Sequence, residues 1–71
     1  MEQVAPFGEI VHWHRKESGL NQQELADMAG VGTSSVYDIE RGKMTVRYAT
    51  LFKVCTVLNI SIEFNSGHRV L

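Results

Sequence analysis

The segment from Leu20 to Gly42 decides the fold of this 71-residue chain, and it reads LNQQELADMAGVGTSSVYDIERG. Ala26 is a small residue at a point where two short helices that cross at about 90–120° need their backbones to approach closely. Gly30 follows in the turn, where glycine adopts a positive φ at little steric cost. Val36 and Ile39 have the spacing of an inner helix face. The segment therefore predicts two short helices joined by a tight turn, at about residues 22–29 and 33–41.

The start of the first of these helices has its own signal. Asn21, followed by Glu24 three residues later, is a variant of the capping box with Asn in place of Ser or Thr. The outer face of the second helix begins with hydroxyl side chains, and short polar residues at a helix N-terminus can approach phosphates and base edges closely. The residues predicted on this outer face are Thr33, Ser34, Ser35, Tyr37, Asp38 and Arg41.

Two further helices are predicted on either side of this segment. Apolar side chains at helical spacing indicate one helix at about residues 7–18, ended by Gly19, and another at about residues 48–58, ended by Asn59. The inward positions of the first are Phe7, Ile10, Val11 and His14, those of the last are Leu51, Phe52, Val54, Cys55 and Leu58, and those of the 22–29 helix are Leu25, Met28 and Ala29.

The pattern changes after residue 59. Ile60, Ile62 and Phe64 alternate with polar residues, which predicts a short β-strand at about residues 60–65. A single strand leaves backbone hydrogen-bonding groups without partners, and the sequence has no second strand candidate. We therefore expect the strand to pair with the same strand of a second copy, so that Ile60, Ile62 and Phe64 form a homodimer interface. The alternative is a tail whose apolar side chains cover the core of their own chain.

The composition fits one small globular domain that spans residues 1–71. Hydrophobic residues make up 44% of the chain and charged residues 21%, which excludes a disordered protein. Such a short chain buries only about 60% of the surface that it exposes when unfolded, so pairing with a second copy adds stability. The single cysteine, the lack of a signal peptide and the lack of a long apolar run predict a cytoplasmic protein with no membrane segment. The chain is too short for a deep catalytic cleft, so we expect no enzyme.

The charge is unevenly distributed although the formal net charge is only −1. Between residues 41 and 53 there is no acid, and there are four basic residues, namely Arg41, Lys43, Arg47 and Lys53. Such a stripe can bind phosphates even in a neutral chain, and the alternative is a solvated basic loop. His12 and His14 are two residues apart on a helix and point to different faces, so we expect no metal site. We expect no cofactor either.

Several stretches of the chain resemble one known family. Leu20–Ala26, Ala29–Val31 and Ile39–Lys43 look like the corresponding parts of the Cro/C1 helix-turn-helix repressors of the xenobiotic-response-element type, and the resemblance covers about residues 8–60. Residues 50–62 are similar to a narrower group, the HipB-type antitoxins, which have a strand after four helices. The resemblance implies a mainly α fold: a four-helix Cro/C1-type helix-turn-helix domain with a short C-terminal β-strand paired across a homodimer.

The resemblance also implies a DNA-binding surface. In such repressors the third helix lies in the major groove, the second helix contacts the backbone near the groove edge, and the loop after the third helix contacts phosphates. The matching residues are Gln22, Gln23, Thr33, Ser34, Ser35, Tyr37, Asp38, Arg41, Lys43 and Arg47. Family members also have a buried ion pair between the first helix and the end of the third, and the matching residues are Arg15 and Glu40.

Asp38 departs from the family pattern, because this position often has a neutral or basic side chain. One hypothesis is that its carboxylate accepts a hydrogen bond from a cytosine amino group. The other is that it repels phosphate and only excludes wrong sites.

The function that the resemblance implies is sequence-specific repression of transcription from a pseudo-palindromic operator in double-stranded DNA. The narrower similarity implies an antitoxin that represses its own operon as part of a type II toxin–antitoxin pair, with a HipA-like kinase toxin as its partner. Two alternatives stay open at this point: a helix-turn-helix module that binds another protein, and a stand-alone Cro/C1-type regulator without a toxin.

Overall fold

The computed structural model describes residues 7–62 and contains four helices in that range. They are α1 (Phe7–Glu17), α2 (Gln22–Ala29), α3 (Thr33–Glu40) and α4 (Tyr48–Val57). The predicted mainly α, four-helix architecture is confirmed, and each helix ends within one residue of its predicted end. α3 contacts all three other helices, so its inner face lies at the centre of the domain. None of these helices is both long enough and apolar enough to cross a membrane.

The connection between α2 and α3 forms as the sequence predicts. The Asn21 side chain accepts the backbone N–H of Glu24 at 2.7 Å, and the Glu24 carboxylate accepts the backbone N–H of Asn21 at 2.8 Å. This reciprocal capping box satisfies two backbone donors that a helix start leaves without partners. At the other end of α2, Gly30 has a φ of +72°. The left-handed residue turns the chain within two positions and allows α3 to begin at Thr33.

The core is formed by one compact set of apolar side chains from all four helices. It contains Val11, Leu25, Ala26, Val36, Ile39, Val54, Cys55 and Leu58. Burial raises the pKa of the Cys55 thiol, which keeps it protonated and makes it a packing residue.

Three predicted core residues lie at the surface instead. Ile10, Met28 and Phe52 are 48%, 62% and 51% exposed. On α1 the buried positions are Gly8, Val11 and Arg15. The apolar spacing instead predicted that Ile10 is buried, because neither a glycine nor an arginine contributes to a hydrophobic pattern.

Gly8 is buried because the backbones of α1 and α3 meet there. A Cβ atom at this position would lie 2.7 Å from the carbonyl oxygens of both Ile39 and Glu40, and 3.0 Å from the backbone nitrogen of Gly42. These are backbone atoms at the end of α3, so they cannot rotate away as a side chain would. Only glycine permits this approach of the two helices.

The Gly8→Ala variant is therefore expected to be less stable than the wild type by about 1–3 kcal/mol, the usual cost of overpacking. The sign is informative, since Gly→Ala within a helix usually stabilises by roughly 0.5–1 kcal/mol. Urea unfolding measures the difference. Gly32→Ala is the matched control, because a Cβ atom there would meet only the Ser34 hydroxyl at 3.8 Å. A Gly8→Ala protein as stable as the wild type would refute the close contact.

The segment after α4 bears on the predicted strand. Asn59 adopts a φ of +61°, and the Ile60 N–H donates to the Cys55 carbonyl at 2.8 Å, which closes the helix end. Ile60 and Ile62 are half-buried and pack against the core of their own chain, and residues 60–62 have no regular secondary structure. Phe64 and the rest of the predicted strand lie outside the described residues. The paired strand and the homodimer therefore stay predictions.

Candidate nucleic-acid interface

A buried ion pair fixes the third helix against the first. The Arg15 guanidinium contacts the Glu40 carboxylate through two nitrogens, with Nε at 2.5 Å from Oε2 and Nη2 at 3.0 Å from Oε1. Its third nitrogen donates to the Leu20 carbonyl at 2.8 Å. Only 9% of the Arg15 side chain and 7% of the Glu40 side chain are exposed. The pair therefore joins α1, the α1–α2 turn and the end of α3.

The Glu40 carboxylate also accepts hydrogen bonds from two further side chains. His12 Nδ1 lies 2.8 Å from Oε1, and Gln22 Nε2 donates to the same oxygen at 3.3 Å. An ionised carboxylate only accepts, so His12 must donate from Nδ1. Burial alone would raise the pKa of Glu40, but the hydrogen bonds from Arg15, His12 and Gln22 outweigh it and lower that pKa.

This network affects one of the residues predicted to contact DNA. In the free chain, an amide hydrogen of Gln22 is directed to Glu40, towards the interior. Its second N–H and its carbonyl oxygen are the groups left for a phosphate or a base. A DNA-backbone contact by Gln22 stays a prediction, and the structure adds a role in holding α2 against α3.

The outer face of α3 has small polar side chains at its start. Near its end it has an aromatic ring that is covered by a cationic side chain. Thr33, Ser34 and Ser35 occupy the first turn, and the preceding residue, Gly32, has no side chain that could cap their backbone N–H groups. One helical turn later, the Arg41 guanidinium lies over the Tyr37 ring, 5.3 Å from its centroid. The Ser35 N–H donates to the Gly32 carbonyl at 3.0 Å. The hydroxyl groups at this helix start suit close contact with phosphates and base edges.

Asp38 lies between the helix and the basic loop and pairs with cations of its own chain. Its carboxylate is 3.5 Å from Lys43 Nζ and 3.8 Å from Arg41 Nη1. These are partly exposed pairs, and such pairs contribute only about 0–1 kcal/mol each. Both cations can therefore leave Asp38 for a phosphate at little cost. This arrangement adds a third hypothesis for Asp38, namely that it would compete with DNA for the two cations.

An open cavity of about 190 Å³ lies between α3, the basic loop and the start of α4. Arg47 is the N-cap residue of α4, and its side chain, which has donors only, makes no capping hydrogen bond. Cationic side chains, hydroxyl groups and a helix N-terminus all supply hydrogen bonds that a phosphate group can accept. The lining residues are Ser35, Asp38, Lys43, Thr45, Val46, Arg47 and Thr50.

The predicted DNA-binding residues thus fall into one surface with one partial exception. Gln23 reaches this surface through a hydrogen bond from the Thr33 hydroxyl, whereas Gln22 is partly committed to the ion-pair network. Sequence reasoning missed Thr45 and Thr50 in the cavity, although both lie within three residues of Arg47. It also missed Asp27, which hydrogen-bonds Gln23. In the described part of the chain, no group of three or more His, Cys, Asp or Glu side chains could hold a metal ion.

The features described above define a DNA-binding helix-turn-helix domain. A short helix has hydroxyl groups and a cation on its outer face, a second helix holds it across a glycine turn, and a basic loop follows it. The chain belongs to the helix-turn-helix family HTH_3, whose model matches residues 11–65. It is a DNA-binding transcriptional regulator and not an enzyme.

Known proteins similar to this chain support that assignment. The uncharacterized HTH-type transcriptional regulator y4mF of Sinorhizobium fredii (strain NBRC 101917 / NGR234) is 41% identical over 59 residues, which are 83% of this chain and 78% of y4mF. SinR, the master regulator for biofilm formation, was solved in complex with DNA; it is 38% identical, with a TM-score of 0.69 over 78% of this chain and 89% of SinR. A chain of the HipA–HipB–O2–O3 complex has the same fold at 20% identity, with a TM-score of 0.75 over 96% of this chain and 99% of its own length.

Proposed function

We propose that this protein is a sequence-specific repressor that binds a pseudo-palindromic operator as a homodimer, in the cytoplasm, and represses its own operon as the antitoxin of a type II toxin–antitoxin pair. The observation that carries the DNA-binding part is one continuous surface. On it, Ser35 of the first turn of α3 lines one cavity with Lys43 and Arg47. Asp38, which lines the same cavity, pairs with Arg41 and Lys43.

The surface supports a division of roles between base contacts and phosphate contacts. Thr33, Ser34 and Tyr37 lie on the outer face of α3 and would enter the major groove, with Gln23 and Ser35 beside them. The cations and the cavity at the start of α4 would hold the phosphates that flank the groove. Phosphate contacts fix the position of the protein, and base contacts select the sequence.

A salt titration tests this role. Three cations per copy, and two copies on one operator, predict a slope of about −5 when log affinity is plotted against log salt concentration. Fluorescence anisotropy with the DNA upstream of the gene measures it, and a scrambled duplex of equal length is the control. Tight binding with a steep slope and a preference for the upstream DNA is expected. A slope near zero would contradict a phosphate-binding surface and favour a protein-interaction module.

Homodimerisation rests on the predicted strand at residues 60–65. Two copies paired there could place two α3 helices about 34–36 Å apart, in successive major grooves. A chain that ends at residue 59 is expected to be monomeric or unstable, while a chain that ends at residue 65 keeps the predicted strand and stays dimeric. Sedimentation velocity separates the two outcomes. A folded dimer that ends at residue 59 would move the interface elsewhere, for instance to α4.

The antitoxin role is supported by the similarity of residues 50–62 to HipB-type proteins and by the shared fold of the HipA–HipB–O2–O3 complex chain. It implies a HipA-like kinase toxin as partner. Purification of the tagged protein from its host at native abundance is expected to bring down a kinase. Recovery of a dimer alone, with its operator binding intact, would favour a stand-alone regulator.

A further inference from the structure

A chain of three polar side chains, separate from the ion-pair network, joins α2 to the start of α3. The Thr33 hydroxyl donates to Gln23 Oε1 at 2.9 Å. Gln23 Nε2 in turn donates to Asp27 Oδ1 at 2.9 Å. Asp27 lies in the last turn of α2, where a negative charge is unfavourable for the helix dipole. The hydrogen bond from Gln23, four residues earlier on α2, is the contact that holds its carboxylate in place.

The direction of these hydrogen bonds is set by Asp27. An ionised carboxylate has acceptors only, so Gln23 must turn its NH₂ group towards Asp27 and its carbonyl oxygen towards Thr33. A hydroxyl has a single hydrogen, and Thr33 uses it for the Gln23 carbonyl. The Thr33 oxygen can then only accept a hydrogen bond from any further partner.

We infer that Asp27 is a positioning residue that determines the base preference of Thr33, through the orientation of the Gln23 amide. The inference rests on the proposed function, because it requires Thr33 to face a base edge. A hydroxyl fixed as an acceptor matches the amino group of cytosine or adenine in the major groove. It does not match guanine N7 and O6 or thymine O4, which are acceptors themselves. Asp27 selects a base without contacting the DNA.

The Asp27→Asn variant removes this constraint with almost no change in shape. An asparagine can turn either its oxygen or its nitrogen towards Gln23, so the Gln23 amide and the Thr33 hydroxyl become free to reverse. The wild type is expected to prefer an amino-bearing base at one base pair of each operator half-site. In Asp27→Asn that preference falls by roughly three- to tenfold, the range for one hydrogen bond, while preferences at the other base pairs stay.

The experiment is selection from duplex libraries in which each position of the operator is randomised in turn. The wild type, Asp27→Asn and Thr33→Val are compared, and the last variant is expected to lose the preference at the same base pair. Glu17→Gln is the control, because it removes another exposed carboxylate, at the end of α1. It should leave the pattern of base preferences unchanged.

The outcomes separate this inference from the proposed function. An Asp27→Asn protein with wild-type preferences, or with affinities that change equally at all positions, overturns the inference while DNA binding stands. A wild type that selects no duplex over random DNA overturns the proposed function and the inference with it. A loss confined to the base pair that Thr33→Val also relaxes supports the role of Asp27.

Discussion

The Glu40→Gln variant is expected to lose about 3–5 kcal/mol of unfolding free energy, the usual cost of removing one partner of a buried ion pair. The Arg15 side chain is only 9% exposed, so its guanidinium would keep its charge in the interior without a counter-charge. The loss comes at the junction of three helices, since Glu40 also binds Gln22 of α2 and His12 of α1. Small domains have about 5–15 kcal/mol in total, so the loss is a large fraction of the stability of the domain.

Urea unfolding followed by circular dichroism measures this loss. Glu17→Gln makes the same chemical change at an exposed position on α1 and is expected to alter stability by less than about 0.5 kcal/mol. If Glu40→Gln cost no more than Glu17→Gln, the pair would contribute little, and α1 would be held to α3 by apolar packing alone.

The same carboxylate gives stability a pH dependence of known sign. The hydrogen bonds to Glu40 hold its pKa below the ordinary 4.5 in the folded chain. Its contribution is therefore complete above about pH 4.5 and is lost as the pH falls through the lower, folded-state pKa. Below pH 4.5 the wild type should lose stability more steeply than Glu40→Gln, which has no carboxylate at this position to protonate.

The sequence predicted a structural feature correctly when the residues that determine it lie close together along the chain. The capping box at Asn21 and the turn at Gly30 were predicted correctly, because residues three or four positions apart determine them. The inner face of α1 was predicted only in part, since Val11 is buried and Phe7 packs against the core, but Ile10 is 48% exposed. Gly8 is buried only because the carbonyl groups of Ile39 and Glu40 lie beside it, and no local pattern contains that contact.

The candidate site shows the same limit. The basic loop and the hydroxyl groups of α3 were visible as residue types in the sequence. The direction of a hydrogen bond was not, because Asp27 gains its role only when Thr33 and Gln23 meet across the turn. The pairing of Asp38 with Lys43 likewise depends on how the loop after α3 folds back.

The Arg41→Ala/Lys43→Ala double variant is expected to bind operator DNA about a thousandfold more weakly at 0.1 M salt, because a dimer loses four phosphate contacts. The slope of log affinity against log salt should fall from about −5 to about −2, since only Arg47 remains in each copy. Both side chains are about half exposed and lie outside the core, so the variant should keep its fold. Anisotropy titrations at several salt concentrations measure both quantities.

Asp38→Asn is the informative counterpart, because it should change binding in the opposite direction. In the free protein the Asp38 carboxylate holds Lys43 Nζ at 3.5 Å and Arg41 Nη1 at 3.8 Å, so DNA must replace it as the partner of both cations. Without that competing charge, affinity for all duplexes should rise, most strongly at low salt. If Asp38 instead accepts a hydrogen bond from a cytosine amino group, Asp38→Asn would weaken binding to the operator alone. If the double variant bound DNA as tightly as the wild type, the phosphate-binding surface would lie away from this loop. Asp38 would then have no phosphate to compete with for Arg41 and Lys43.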